Sequence, residues 1–468
     1  MEKYDYDAII IGAGIGGLVC GCYLAKAGLK TLIVEKNAQP GGYCTSFTRN
    51  GFKFDACVHF IGSMREGGII KKIIGNLGLQ NDISILRNDP SDTVFTKDYK
   101  FSFWENIEKT VSELQACFPS EKKSIKEFFN YILKIEGYDF LGLRCKTLQD
   151  VFNKFFVDKR LMALLGFPIL GNSGLPPSRV SAIKAMTLYK EFMVDGGYYM
   201  PNGVQVLPEA LVKKIVGYGG TVLFNSPVKK IIVRNDKAEG VITKQGTQFS
   251  SRYVVSNADT RHTFFDLIDP DNAPKLLQKA LVDLEPSLSM FALYLGVNGE
   301  LTNFPPHTNI WYLNGYDLED YYRYNLKGDI EDIKWLLAYY NPQGKTILCF
   351  LNVPYVNKNY WKVNRMRIEE LLLKKIEEVV PGTLKHICFK NNATPDTMLR
   401  WTSNYQGAAY GWAGTVDQFS VSGLSQITQI KNLFLTGHWT TLVQGVSGVI
   451  YLGEVTAKTI LRVKEKRQ

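Results

Sequence analysis

The chain contains no run of eighteen consecutive apolar residues, which argues against a membrane-spanning helix. Its start, Met1-Glu-Lys-Tyr-Asp5, leads straight into an apolar strand-like run and leaves no room for a charged and apolar leader. A cytoplasmic location is therefore expected. None of the eight cysteines, at 20, 22, 44, 57, 117, 145, 349 and 388, forms a C-x-x-C pair. That spacing argues against a disulfide framework, a zinc site or a redox cysteine pair, so free thiols and no bound metal are expected. The sequence also lacks G-x-S-x-G, H-E-x-x-H and the P-loop. Serine hydrolase, zinc protease and P-loop chemistry are thereby set aside. No second G-x-G-x-x-G with its own βαβ unit occurs, which speaks against a nicotinamide domain, and neither an internal repeat nor a low-complexity linker is present.

What is present fits a large folded chain. The 468 residues can supply two domains, with 45% hydrophobic and 21% charged residues. The 26 Phe and 25 Tyr point to a broad apolar surface for substrate or membrane, or to aromatic core packing. The formal net charge is +10, but the basic residues are dispersed. Between Glu121 and Arg160, nine Lys or Arg mix with six Asp or Glu; only the tail Arg462-Val-Lys-Glu-Lys-Arg-Gln468 is a basic cluster. No nucleic-acid groove is expected. Anionic lipid headgroups, met peripherally, or an acidic carrier protein fit the excess better, the alternative being a solvated surface with no partner.

The strongest signal lies in the first sixty residues. Asp7-Ala-Ile-Ile-Ile-Gly12-Ala-Gly14-Ile-Gly-Gly17 sets an apolar run directly before G-x-G-x-x-G. A helix over 18–29 and a strand over 30–34 ending at Glu35 complete the order of a dinucleotide-binding βαβ unit. Gly12 permits the tight turn, Gly14 lets backbone approach a pyrophosphate, and Gly17 is expected to let the helix pack on the sheet. The helix N-terminus offers unpaired N–H groups to the phosphates. Glu35 is expected to accept from ribose hydroxyls, and its charge would repel a 2′-phosphate.

Beyond Glu35 come Pro40-Gly41-Gly42-Tyr-Cys-Thr45-Ser46-Phe47 and Gly51-Phe-Lys-Phe-Asp55. With this second glycine pair the chain resembles the FAD-binding amine oxidase and phytoene desaturase superfamily. The likeness is to its phytoene desaturase, carotenoid isomerase and retinol saturase branch and spans nearly the whole sequence. The resemblance implies FAD as cofactor, gripped near Gly12, Gly14, Ile15 and Gly17, by Glu35 and Lys36, and by the segment with Gly42 and Thr45. It extends to Pro227-Val228, like the strand whose backbone holds the adenine. Val255-Ser-Asn257-Ala258 is similar to the chain return beneath the cofactor. In Asn432-Leu-Phe-Leu-Thr-Gly437-His438-Trp439 to Gly445-Val446-Ser-Gly448-Val449, the resemblance has Gly437, Gly445 and Val446 meet FAD through backbone, with His438 a residue of that loop. A helix over 449–463 follows, its N-terminus placed to stabilise negative charge on a reduced flavin. Relatives typically carry Pro-Gly-Gly where Leu442-Val443-Gln444 stands here.

The expected fold is α/β: a Rossmann-type FAD-binding domain of the glutathione-reductase-like superfamily, with a mixed β-sheet plus helical substrate domain. The FAD-binding domain is discontinuous, 1–85, 196–260 and 427–468. Residues 86–195 and 261–426 build the substrate domain. Expected elements are a helix over 206–216, a small antiparallel sheet through 228–255, strands at 288–297 and 346–353, and an amphipathic helix over 367–380. Val151–Leu175 is read as a helix in the core or, by resemblance, as a lid or membrane-contacting surface.

By resemblance the strand bearing His59 leads toward the flavin's reacting face; relatives have Gly where Cys57 sits. His59 is a weak candidate for moving protons, the alternative being a hydrogen-bonded structural histidine. Tyr405, Tyr410 and Trp412 match a family segment near the active site and line an apolar tunnel or pack in the core. The function implied is an FAD-dependent oxidoreductase that desaturates, saturates or isomerises carbon–carbon double bonds of a long carotenoid, retinoid or other polyene or acyl substrate. Two alternatives stand beside it: an amine oxidase, and a non-catalytic lipid-binding protein like the GDP-dissociation inhibitors.

Overall fold

The structure is a computed structural model that describes residues 4–328, 330–420, 424–440 and 445–465. The segment Leu442-Val443-Gln444 lies outside the described residues.

Ala8 to Ile11 are apolar without alternation because both faces of their strand are covered. Ala8 and Ile10 pack toward three helices, and Ile9 and Ile11 toward a layer on the other side. Strand Tyr6–Ile11 pairs in parallel with Thr31–Val34 on one side and Gln248–Ser256 on the other. Thr221–Leu223 extends the sheet beyond Thr31–Val34, and Leu433–Leu435 pairs with the end of Gln248–Ser256. The sheet thus draws strands from three distant stretches of chain. The start of Gln248–Ser256 instead joins an antiparallel meander with Lys237–Thr243 and Val228–Arg234. The small antiparallel sheet read from the sequence is therefore an extension of the parallel one.

Helix Ile15–Lys26 is buried on nearly every side, which explains its uniformly apolar sequence. It packs between Val206–Gly217 and the C-terminal helix Gly445–Glu465. Gly453 makes the second crossing close: a Cβ there would stand 2.6 Å from the Gly16 carbonyl oxygen.

The second sheet has seven strands. Their order is Ile387–Ala393, Ser289–Val297, Thr346–Val353, Trp335–Asn341, Asn309–Leu313, Asp92–Phe95 and Lys100–Phe103. All neighbours are antiparallel except Asn309–Leu313 with Asp92–Phe95. Helix Lys358–Val379 buries Trp361, Ile368, Leu372 and Ile376 in this sheet's core. It starts nine residues earlier than its apolar stripe predicts, because the Asn357 side chain caps it by accepting from the Tyr360 N–H. Of the stretch 151–175, helix Lys159–Ser173 is almost wholly buried. Each fully buried Leu, Ile or Phe of such a helix contributes about 1.5–3 kcal/mol, so the core reading holds there. A π-helical turn, Tyr189–Val194, continues helix Ala182–Leu188. The Ser63 N–H donates to the Glu191 carbonyl there, and a Cβ at Gly62 would come within 2.1 Å of that oxygen.

Candidate cofactor and substrate site

One cavity of about 610 Å³ runs from the glycine turn to the second sheet. Its near end is built by Gly12, which takes φ +94°, and by Gly14, Ile15 and Gly16. Gly14 caps helix Ile15–Lys26 without a side-chain bond, and no acid stands in the first turn. The first-turn N–H groups are therefore left for an anion. The C-terminal helix offers its own N-terminus to the same cavity at Gly445, Val446, Ser447 and Gly448. It too has no acid in its first turn. Two helix ends converge on one space.

The hub between them is Asn257. Its Nδ2 donates to the Gly12 carbonyl at 3.3 Å. A Cβ built on Gly14 would lie 2.8 Å from that Nδ2, one on Gly16 2.9 Å from Oδ1, and one on Gly437 2.5 Å from Oδ1. A Cβ on Gly17 would strike the Gly12 carbonyl oxygen at 2.3 Å and stand 3.1 Å from Asn257 Cβ, so this glycine lets the helix close on the ends of two strands. One turn on, Gly21 does the same, since its Cβ would meet Ile33 Cδ1 at 2.7 Å.

Glu35 follows its strand into the cavity wall and is buried. Oε2 accepts from the Ala13 N–H at 2.7 Å and Oε1 from the Asn37 N–H at 2.8 Å. Each oxygen retains a lone pair for a ribose hydroxyl. Lys36 lines the cavity, but its Nζ donates to Ser403 Oγ at 2.6 Å and to the Arg400 carbonyl at 3.1 Å. Burial pulls its pKa below the usual lysine value, against the pull of Glu35. Val228, Asn257 and Ala258 line the same end, as does Gly42 at φ +63°. Thr45 does not line it. Its hydroxyl donates to Gln205 Oε1 at 2.7 Å and accepts from Gln39 Nε2, a local scaffold behind the wall.

Gly437 takes φ +88° and hands the chain to His438. Burial pushes His438 down to about 4, so its imidazole is neutral at physiological pH. Its Nε2 lies 3.3 Å from Asn404 Nδ2, and Asn404 Oδ1 accepts from Trp439 Nε1 at 2.9 Å. The loop is thus pinned to residues 402–404, and it supplies no acid.

At the far end His59 meets two acceptors. Its Nε2 lies 2.8 Å from Asn309 Oδ1, and Nδ1 lies 3.2 Å from the Cys57 carbonyl. Asn309 is oriented by its own Nδ2, which donates to the buried Asp92 Oδ1 at 2.9 Å; Trp311 Nε1 donates to the same oxygen at 2.8 Å. Burial lowers the His59 pKa, opposed by its bonds to Asn309 and Cys57, and burial raises that of Asp92. The His59 ring also lies 4.7 Å from Tyr339 and 5.7 Å from Phe350. A neutral ring carries one N–H and so donates to only one of these acceptors, the closer being Asn309 Oδ1. That arrangement favours the structural reading of this histidine.

Of the three aromatics, only Tyr410 lines the cavity. Trp412 packs against Trp439 in the core, and Tyr405 stands over Arg261 at the surface. Met290, Leu337, Phe350 and Asn352 form the floor. The strands read at 288–297 and 346–353 supply three of them. Gly16 and Asn404 were not singled out from the sequence, and Gly41 was named only as part of the second glycine pair. Gly16 sits in the visible run Gly14-Ile-Gly16-Gly17, whereas Asn404 carries no local signal. Among the described residues no cluster of His, Cys, Asp or Glu is placed to hold a metal, and no helix is long and apolar enough to cross a membrane.

The glycine cradle, the paired helix ends and the acid after the second strand fit a dinucleotide, and its far apolar arm fits a guest beside the redox end. Together they define a dinucleotide-binding oxidoreductase fold. The model of the family "Flavin containing amine oxidoreductase" matches residues 15–461, and the chain belongs to that family. FAD is its cofactor. The chain is 25% identical to all-trans-retinol 13,14-reductase of Danio rerio, over 98% of this chain and 86% of that protein. It is 26% identical to chloroplastic prolycopene isomerase of Daucus carota, over 97% and 80%. It is 25% identical to the neurosporene-forming phytoene desaturase of Rhodobacter capsulatus, over 97% and 93%. Among solved structures, an oxidoreductase from Methanosarcina mazei superposes with a TM-score of 0.68 at 18% identity, covering 98% of this chain and all of that one.

Proposed function

We propose that the protein is an FAD-dependent oxidoreductase that desaturates, saturates or isomerises carbon–carbon double bonds of a long apolar substrate. The observation that carries this is the continuity of one cavity from the glycine turn to a floor of Met290, Leu337 and Phe350. FAD, when bound, supplies hydride exchange. The chain's own residues bind and orient: the two helix ends hold the phosphates, Glu35 the ribose, and the apolar floor excludes water from the reacting carbons. Neither His59 nor His438 is poised to move a proton directly, since burial lowers the pKa of both and each has a ring nitrogen bonded to protein.

An amine substrate is supported less well. The carboxylates of the wall are committed: Glu191 to Arg65 at 2.6 Å and to Ser63, Asp266 to His262 at 2.7 Å, and Glu35 to backbone. A buried ammonium needs a free counter-charge. The non-catalytic alternative is opposed by the intact glycine cradle. The test is anaerobic mixing of the flavin-loaded protein with polyenes and, separately, with primary amines. Polyene turnover, or flavin bleaching by a saturated analogue, supports the reading. Bleaching by amines alone, or a protein that refuses flavin, refutes it.

An apolar substrate is drawn from a lipid phase, and a candidate contact is the turn Gly137–Leu143. Tyr138 and Leu141 are exposed on it, with Lys134 and Lys146 flanking. This turn packs on helix Ala182–Leu188, whose Thr187 and Leu188 line the cavity. Exposed apolar tips, with Lys134, Arg144 and Lys146 outnumbering the exposed Glu136 and Asp139, match an anionic bilayer surface. Co-sedimentation with anionic vesicles, weakened by Tyr138→Ser with Leu141→Ser, is expected. Binding to acidic protein but not to vesicles would overturn this contact.

A further inference from the structure

No cysteine of this chain has a partner at C-x-x-C spacing, but the fold sets two of them opposite each other. The hairpin of Ser46–Arg49 and Phe52–Asp55 pairs Ser46 with Asp55. Its bonding continues beyond those strands: the Ala56 N–H donates to the Thr45 carbonyl at 2.8 Å, and the Val58 N–H to the Tyr43 carbonyl at 3.4 Å. Cys44 and Cys57 fall between these two bonds, as the facing residues of a non-hydrogen-bonded pair. The Cys44 N–H turns away and donates to the Gly41 carbonyl at 3.0 Å. Side chains of such a pair share one face, and in a regular ladder the Cα atoms stand about 4.5 Å apart. A disulfide spans about 4.4–6.8 Å between Cα atoms. The next pair of the same kind already joins its side chains, Ser46 Oγ donating to Asp55 Oδ1 at 2.6 Å.

Of the eight cysteines, only Cys44 and Cys57 line the cavity. Cys44 follows Gly41, which pairs with Gly14 of the glycine turn, and Cys57 precedes Val58, His59 and Phe60 in the wall. The pair therefore stands between the end fitted to phosphates and the aromatic far end. Both residues are buried, and the structure holds them as free thiols. The Cys57 thiol donates only weakly, to Met398 Sδ at 3.9 Å. Burial pushes Cys57 up to about 12 and raises Cys44 as well, with Cys57 itself the next cause there. Buried, protonated thiols exchange slowly with disulfides in solution. The redox partner within reach is whatever fills the cavity, and that is FAD.

We propose that Cys44 and Cys57 form a dithiol–disulfide couple that exchanges two electrons with the bound flavin. Oxidation breaks two S–H bonds, joins the two Sγ atoms and releases two electrons and two protons, which oxidised FAD takes up to reach its two-electron-reduced form. In reverse, the S–S bond breaks, both sulfurs regain a proton and FAD is left oxidised. No other oxidant or reductant enters this exchange. The couple holds a second electron pair beside the cofactor. It rests on the FAD site alone and stands whichever substrate the far end takes.

The test starts from fully flavinated protein whose exposed Cys145 and Cys388 have been capped with iodoacetamide. The protein is oxidised under air with catalase present, made anaerobic and titrated with dithionite. Wild-type protein is expected to take up two electron pairs per FAD before the end point, and Cys44→Ala or Cys57→Ala one. Alkylation and peptide mapping along the titration should show a linked Cys44–Cys57 peptide giving way to two free thiols, a readout that needs no variant. Uptake of one electron pair per FAD by the wild-type protein overturns the proposal. So does finding both cysteines as thiols in the air-oxidised protein. A linked peptide that persists once the flavin is fully reduced overturns it too, since the bridge would then be inert. Two electron pairs taken up by a fully flavinated Cys57→Ala protein would place the second acceptor elsewhere, with the same result.

Discussion

Alanine at Gly17 should damage flavin binding more than alanine at Gly14, although Gly14 is the glycine nearer the phosphates in the motif. A Cβ on Gly17 stands 2.3 Å from the Gly12 carbonyl oxygen and 3.1 Å from Asn257 Cβ. Ordinary contact is about 3.5 Å, so the turn must open by roughly an ångström. Both neighbours are backbone or the first side-chain carbon, and neither can swing away. Overpacking of that kind costs about 1–3 kcal/mol. The part that moves is the turn that faces the cofactor, so the cost divides between stability and FAD affinity. A Cβ on Gly14 meets only Asn257 Nδ2 at 2.8 Å, with the next atom at 3.9 Å. Asn257 can rotate, giving up its 3.3 Å bond to the Gly12 carbonyl, which is worth about 0.5–1.5 kcal/mol.

Asn257→Ala separates the two cases. It removes the obstacle to Gly14→Ala but leaves the obstacle to Gly17→Ala in place. FAD titration of the apoprotein, together with thermal unfolding, should give Gly14→Ala with Asn257→Ala no worse than Asn257→Ala alone. The coupling expected is about 1 kcal/mol, while Gly17→Ala and Asn257→Ala add within about 0.5 kcal/mol. Rescue of Gly17→Ala by Asn257→Ala would refute the packing account. A Gly14→Ala loss that persists without the amide would mean the cofactor itself needs that space.

Acid stability should carry two opposed contributions. His438, held near 4 against 6.5 when unfolded, loses about 3 kcal/mol of stabilisation as pH falls from 6.5 to 4, because only the unfolded chain takes up the proton. His438→Gln should therefore flatten denaturant-measured stability over that window; an unchanged slope would show the imidazole to be accessible. Asp259, raised to about 6 from 3.8 mainly by burial, works the other way. Stability falls as pH rises from 3.8 to 6, by a similar amount, and Asp259→Asn should remove that fall. At Asp92, whose Oδ2 has no partner among the described residues, Asp92→Asn should cost under about 1 kcal/mol. Asp92→Leu, which strands Asn309 Nδ2 and Trp311 Nε1, should cost about 2–4 kcal/mol by urea unfolding. Thr45→Val should lower stability by about 1–2 kcal/mol yet leave FAD affinity within about twofold, since Thr45 lies behind the wall; a tenfold affinity loss would place it in the site.

What could be read in advance follows from how local each interaction is. The glycine turn, its strand and its acid lie within thirty residues, so spacing alone exposes them, and the helix differs from expectation only in its bounds, running Ile15–Lys26 rather than 18–29. The part played by Gly21 was not legible, because it depends on where Ile33 and Ile10 stand around the helix. The substrate side is harder for a different reason. Strand Thr346–Val353 is buried throughout, so its pattern does not say which face meets the cavity. The register decides: Met290 stands opposite Asn352 and Leu337 opposite Phe350, which brings these four to one floor while Ile347, Cys349 and Leu351 face away. One clue was available within the strand. Asn352 is the only amide among eight buried residues there, and a buried amide must find partners. Its Nδ2 has them in the Leu170 and Gly171 carbonyls and its Oδ1 in Tyr410 OH, so the polar letter in an apolar run marks where the strand is tied to the end of helix Lys159–Ser173 at the cavity floor.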